Sequence, residues 1–291
     1  MSWRPMRKLS WAVLGVVGAC GGESVVVENI QAREIINRDE WPVVSLSLEG
    51  VGAAPLAPVR LSGARGGAEQ VSWETRFETR AKRGVVSSDP MVVSQRRTFD
   101  VRPSGASPTT FDFELSAASD EGSGGPPVDA EVARSLVGRR GSWRADERCA
   151  VVDAGIATDG GAADRHLPAL LRTAVELCPL LPEEAVGVGA RWTTQQTRAD
   201  GSTETSKWLL TQRVGERVVL TFSTSIEGSP ADTMAEGRLE LDSGRAVPVR
   251  YDARGRSTRT VEERKASGST TQVAWTTTWT MHAEASPLTG G

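Results

Sequence analysis

The stretch QVAWTTTWTM, residues 272–281, decides the fold of this 291-residue chain. Its odd-numbered positions, from Val273 to Met281, carry large or β-branched side chains that include Trp275 and Trp279, whereas its even-numbered positions are Gln, Ala or Thr. A period of two residues is typical of a β-strand with one face in the core and the other in water. The stretch therefore predicts a long strand with one solvated face.

The same alternation continues upstream, around Trp208, Phe222 and Leu239. Turns that contain glycine separate these segments, and glycine supplies the positive φ angle that tight hairpins require. The predicted turns are Asp200-Gly201, Gly215-Glu216, residues 228–232, Ser243-Gly244, Arg254-Gly255 and Ser267-Gly268. Residues 190–282 are therefore predicted to form an antiparallel meander of seven strands.

Residues 70–116 predict three further strands, because large side chains such as Trp73, Phe77 and Phe113 alternate with charged ones. Ten strands are too many for a flat sheet, so we expect the sheet to curl. In residues 127–178 the hydrophobic spacing changes to that of helices, with Gly138 as the end of the first. A second helix is predicted from Leu167 to Leu177. The predicted fold class is mainly β (α+β): a curved antiparallel meander or half-barrel with about two helices covering the C-terminal strands.

The N-terminus has the features of an export signal. Residues 1–8 carry three basic and no acidic side chains, and an apolar run follows to Ala19. That run is too short to span a bilayer. It ends in small residues before Cys20, which resembles the lipobox of bacterial lipoproteins. The alternative is an ordinary signal peptide with Cys20 as a bystander.

The lipobox resemblance implies that residues 1–19 are removed and that Cys20 becomes lipidated, with palmitate among the acyl chains. Residues 20–57 would then form a lipidated tether that adds at most a strand. Several acyl chains hold a protein on a membrane essentially permanently. The resemblance thus implies an exported protein of the cell envelope, anchored in the outer membrane on its periplasmic or surface side.

Residues 181–192, LPEEAVGVGARW, resemble the start of the C-terminal half of a bacterial lipoprotein family known only as a domain of unknown function. Residues 241–249, LDSGRAVPV, are similar to another stretch of that family. The resemblance covers roughly residues 60–282 and implies a single β-rich domain, here residues 58–286. That architecture is similar to the half-barrels of lipoprotein-localisation carriers, whose helices plug the concave face above an apolar ligand.

Composition excludes some classes of partner. The formal net charge is −3 without any block of like charges, so a nucleic-acid surface is not expected. Cys149 and Cys178 are the two cysteines beyond Cys20. In an oxidising compartment they are expected to form a disulfide, and the alternative is two separate buried thiols.

Residues that carry catalytic chemistry are few. His166 and His282 are the only histidines and lie far apart in sequence, so no metal site and no cofactor are predicted. No Gly-x-Ser-x-Gly motif marks a nucleophile. The remaining candidates are tryptophans at core-facing positions, which either pack in the core or line an apolar groove. They are Trp73, Trp208, Trp275 and Trp279.

These observations predict a non-enzymatic, membrane-anchored envelope lipoprotein. It would bind an apolar ligand or a partner protein through its curved sheet, and no nucleic acid. One alternative is a structural or assembly component of an envelope complex. Another is a hydrolase with an unrecognised site.

Overall fold

The computed structural model describes residues 34–36, 43–61, 67–104, 110–124, 130–175, 177–198, 200–264 and 270–288. The helical elements are α1 (Ala130–Ser135), a 3₁₀ helix (Ala162–His166) and α2 (Leu167–Val175). The first eight strands are β1 (Glu34–Ile36), β2 (Val44–Gly50), β3 (Glu69–Arg83), β4 (Val86–Ser87), β5 (Met91–Pro103), β6 (Thr110–Ser123), β7 (Arg140–Ala145) and β8 (Val151–Ile156). The C-terminal strands are β9 (Arg191–Thr197), β10 (Thr203–Val214), β11 (Arg217–Glu227), β12 (Ala231–Asp242), β13 (Arg250–Arg264) and β14 (Thr270–Pro287).

The described strands form one antiparallel sheet, in the order β1-β8-β7-β6-β5-β3-β14-β13-β12-β11-β10-β9-β2, with β4 paired only to β3. β1 and β2 stand at opposite ends of this order, so the sheet is open among the described residues. The prediction of a mainly β, antiparallel fold with two short α-helices is confirmed. β14 and β3, which are far apart in sequence, pair along the whole length of β3 at the centre of the sheet.

One predicted turn is wrong. Arg254-Gly255 lies inside β13, where Gly255 pairs with Trp279 of β14. A Cβ atom on Gly255 would lie 2.2 Å from the indole ring of Trp279, so this glycine makes room for a ring rather than for a turn. Residues 190–282 therefore contain six strands instead of seven. The predicted turn at Ser267-Gly268 lies outside the described residues.

The predicted helical insert, residues 127–178, also needs correction. Both helices are present, and Gly138 has a φ angle of +84°, as expected at a helix end. Between the helices the chain forms β7 and β8, which extend the sheet. The helices contact mainly β6 and β8, whereas they were expected to cover the C-terminal strands. Their apolar side chains belong to a core under the N-terminal strands.

The C-terminal strands have a second core, covered by irregular backbone. Residues 51–61 and 177–190, which we call the covering segments, contribute Val59, Leu61, Leu181 and Val186 to it. Cys149 and Cys178 form a disulfide, the predicted pair, between the β7–β8 loop and the start of the second covering segment. Both cysteines pack in this second core, so the disulfide ties the β7–β8 loop to it.

The N-terminal segment adds two strands to the sheet instead of at most one, since β1 pairs with β8 and β2 pairs with β9. The predicted signal peptide, residues 1–19, and the lipidation site Cys20 lie outside the described residues. None of the helices in the described ranges combines the length and the hydrophobicity needed to cross a membrane.

Candidate functional site

A stripe of aromatic rings crosses the inner face of the C-terminal strands, which we define as the face packed against the covering segments. Neighbouring centroids are 6.4 Å apart for Trp192 and Trp208, 4.9 Å for Trp208 and Phe222, 5.7 Å for Phe222 and Tyr251, and 6.2 Å for Tyr251 and Trp73. Phe222 lies over Gly237 of the strand between, where a Cβ atom would come within 2.6 Å of the ring. Glycine in mid-strand thus allows rings two strands apart to meet.

The four predicted tryptophans lie on this inner face but do not surround one space. Trp208 and Trp279 are buried, whereas Trp73 and Trp275 are half-buried. Trp73 and Trp208 belong to the aromatic stripe, and their indole N–H groups donate to neighbouring threonine hydroxyls. Trp279 packs in the same core, and Trp275 lies further along β14, outside both core clusters. Their role in lining a ligand site remains a prediction.

The outer face of the same strands carries an open groove of about 1000 Å³. Two neighbouring rows of cross-strand partners line it, and the inward-facing row between them, which includes Trp192, Trp208, Phe222 and Met281, forms its floor. The first row, from β9 to β3, is Arg191, Leu209, Thr221, Arg238, Asp252, His282 and Glu74. The second row, from β10 to β3, is Lys207, Ser223, Glu236, Arg254, Thr280 and Arg76. Glu49 of β2 lies at one end, and we call this surface the charged groove.

The carboxylates of the charged groove have partners. Glu236 accepts a hydrogen bond from Nε of Arg254 at 2.6 Å. Glu49 accepts one from the Thr193 hydroxyl at 2.5 Å. Glu74 lies 3.5 Å from the guanidinium of Arg96. Their negative charge is therefore partly neutralised by neighbours in the fold.

Asp252 is the most strongly engaged of these carboxylates. Its oxygens lie 2.6 Å from Nε of Arg250 and 2.7 Å from Nδ1 of His282. Burial raises the pKa of Asp252, but the hydrogen bonds and charges of Arg250 and His282 outweigh it, so that the pKa lies below its usual value. Asp252 is thus held in its ionised form with two partners.

Four cations of the charged groove have no such partner. Within the described ranges, no hydrogen bond or ion pair engages the side chains of Arg76, Arg191, Lys207 and Arg238, which stand on four different strands along the groove. All four are exposed. Since the carboxylates are engaged and these cations are not, the surface offered to a ligand is more positive than the count of charges suggests.

The described segments were also compared with the requirements of a metal site. They contain no group of three or more His, Cys, Asp or Glu side chains that could hold a metal ion. His166 and His282, the two histidines, lie on a 3₁₀ helix and on β14. The groove was not predicted from the sequence because each charged residue, taken singly, resembles an ordinary solvated strand position. The usable signal was the clustering of charged positions across consecutive hairpins.

No family model matches the chain, and a search of curated proteins gives no match. Among solved structures, the chain is similar to DynF from the dynemicin biosynthesis pathway of Micromonospora chersina. That similarity has 11% sequence identity, 81% coverage of this chain, 89% coverage of the other and a TM-score of 0.19. A likeness with that TM-score supports no conclusion about the function of this chain.

Proposed function

We propose that this chain is a membrane-anchored, non-enzymatic envelope lipoprotein that binds a ligand or partner through the charged groove. The observation that carries the proposal is the groove itself, an open space of about 1000 Å³ lined by side chains of eight strands. Binding sites are concave and have convergent polar groups, as this groove has.

The charged groove is a better site than the inner face, where an apolar ligand was expected. Leu210, Leu220 and Leu239 on the inner face are fully buried. The covering segments already pack against them. An apolar ligand would have to displace these segments and expose the same hydrophobic area to water, whereas the groove is open. We therefore assign binding to the outer face.

The anchor is tested by replacing Cys20. The full chain and its Cys20→Ser form are expressed with their own leader in a Gram-negative host and labelled with radioactive palmitate. We expect label and membrane fractionation for the unchanged chain and neither for the variant. Equal labelling and fractionation of both forms would overturn the anchored role.

The groove is tested by photo-crosslinking in the same cells. A photoreactive residue at Ser223, exposed in the middle of the groove, is compared with one at Arg144, exposed on β7. We expect crosslinked products from position 223 and none from position 144. Products of equal yield from both positions, or none from position 223, would contradict binding in the groove.

A structural or assembly role is the second candidate, and the free edge of β2 favours it. β2 ends the strand order among the described residues, and Val43 beside it is 88% exposed. Exposed strand edges are templates for pairing with another chain. An assembly role predicts one stoichiometric crosslinked partner from a photoreactive residue at position 43. A ligand-binding role in the groove predicts none there.

A further inference from the structure

We propose that the ligand of the charged groove is an acidic polysaccharide, an extended chain of sugars that carry carboxylate or sulfate groups. This inference rests on the proposed function and adds the class of ligand. It begins from the imbalance in the groove, where Glu236 and Asp252 are engaged by the protein while Arg76, Lys207 and Arg238 are not. Guanidinium and ammonium groups left without a partner are suited to carboxylate and sulfate oxygens.

The spacing of the cations requires an extended ligand. Lys207 on β10 and Arg76 on β3 lie in the same row, five strands apart. At roughly 4.8 Å per strand, about 24 Å separates them along the sheet. Arg191 and Arg238 share the other row, three strands apart, which corresponds to roughly 14 Å. A single small anion cannot reach both members of either pair, whereas a chain with repeated negative charges can.

The groups between the cations favour sugars over other polyanions. Thr221, Ser223 and Thr280 present hydroxyls to the groove, which suit the hydroxyls of a saccharide. The rings of Trp192, Trp208 and Phe222 lie at the floor of the groove, but they are buried in the inner core and offer no open face. Single-stranded nucleic acid depends on stacking against such rings, so the outer face is unsuited to it. An acidic peptide would lack apolar anchor pockets, because Leu209 is the one large aliphatic side chain of the two outer rows and Met281, which also lines the groove, packs against the inner core.

Binding is measured on the full chain carrying Cys20→Ser, with polygalacturonate and heparin as acidic polysaccharides. Neutral dextran and poly-L-glutamate serve as the comparison polymers. The groove variant combines Arg76→Gln, Lys207→Gln and Arg238→Gln. Its control combines Lys82→Gln, Arg102→Gln and Arg144→Gln, three exposed cations outside the groove lining, so that both variants lose the same charge.

We expect at least one acidic polysaccharide to bind and dextran not to bind. The groove variant should lose about tenfold or more in affinity, and the control variant less than about twofold. The salt dependence should also weaken in the groove variant, because fewer counterions are exchanged. Ser223→Glu is the second variant, because it adds a negative charge at an exposed groove position and leaves the strand residues beneath unchanged. Ser223→Glu should also lower the affinity for the acidic polysaccharide.

Three outcomes would overturn the inference. They are failure of both acidic polysaccharides to bind, equal losses in the groove and control variants, and tighter binding of poly-L-glutamate with the same dependence on the groove cations. If crosslinking from position 223 succeeds while polysaccharide binding fails, the groove remains the functional site and the ligand class is wrong. If both fail, the proposed function fails with it.

Discussion

The two halves of the sheet are covered in different ways. Over β5–β8, which we call the helix-covered half, α2 places Leu167, Leu170 and Leu171 on the core. Over β9–β14, the loop-covered half, the covering segments do this with irregular backbone. A helix satisfies its own backbone hydrogen bonds, whereas irregular backbone in contact with a core needs other donors. The two halves therefore differ in how the backbone that covers their core is hydrogen-bonded.

Arginine side chains supply many of these donors in the loop-covered half. Arg60 donates to the carbonyl oxygens of Pro182 and Glu183 at 2.7 and 2.6 Å. Arg148 donates to the carbonyl of Leu181 at 2.8 Å, and Arg213 to that of Ala57 at 2.9 Å. Arg60 thus joins the two covering segments to each other, Arg148 joins the second one to the β7–β8 loop, and Arg213 joins the first one to β10. A loop can therefore replace a helix as the cover of a sheet when side chains complete the hydrogen bonding of its backbone.

The largest expected effect concerns how tightly the two covers pack, the covering segments on one half of the sheet and the helices on the other. Trp192 is fully buried in the loop-covered half, and Phe99 is 2% exposed in the helix-covered half. Trp192→Ala and Phe99→Ala should each lower the free energy of unfolding by about 3–5 kcal/mol. Urea denaturation followed by circular dichroism measures both. A loss below about 1 kcal/mol for Trp192→Ala alone would show that the loop cover is loosely packed.

The disulfide should matter chiefly to the loop-covered half. Cys149 and Cys178 are 29 residues apart, and the chain-entropy estimate for such a loop is about 3–4 kcal/mol of stability. The double variant Cys149→Ala, Cys178→Ala should lose that amount. Hydrogen exchange should show faster exchange at the amides of Leu181 and Val186 than before, with smaller changes at Phe113. An equal loss of protection in both halves would contradict a role of the disulfide chiefly in the loop-covered half.

The arginine contacts predict an intermediate effect. Arg60→Met keeps most of the aliphatic length but leaves the Pro182 and Glu183 carbonyls without their donor, which should cost about 1–3 kcal/mol. Arg102→Met, an exposed substitution on β5, is the matched control and should stay within about 0.5 kcal/mol. Thermal unfolding of the three proteins measures the difference. Equal effects of the two substitutions would mean that Arg60 does not support the cover.

The smallest effect concerns pH. Burial raises the pKa of Glu204 on β10, although Arg198 and Gln196 act in the opposite direction. The folded state favours the protonated form of Glu204. The stability that this group contributes is fully present below the ordinary pKa of a glutamate and is lost as the pH rises through the raised pKa. Glu204→Gln should therefore gain stability relative to the unchanged chain between about pH 4 and pH 7. Melting temperatures at both pH values test this, and a constant difference would contradict it.

Much of the fold could be predicted from local patterns. Alternation around Trp275 and Trp279 located β14, and Pro168 and Gly138 marked helix ends that the structure retains. The turn predicted at Gly255 was wrong because glycine is required both in tight turns and beneath a ring of a neighbouring strand. A sequence pattern distinguishes these uses only if the partner strand is known. β7 and β8 were missed because each is only six residues long.

The candidate site was much less predictable than the fold. Each of Arg76, Lys207 and Arg238 has the pattern of a solvated strand residue, and residue 76 is more than a hundred positions from the other two. Their common groove depends on pairing between β14 and β3, which joins the two ends of the domain. The tryptophans were prominent in sequence but pack mainly in the core.

The class of secondary structure and the inward-facing residues of the strands followed from the sequence alone, because both depend on local periodicity. The cysteine pair followed from it too, because only two thiols remain beyond Cys20. Tertiary structure decided which half of the sheet the helices cover and which charges share a groove. The physical reason is that strand order and register are set by long-range pairing and burial, and local propensity carries no information about either.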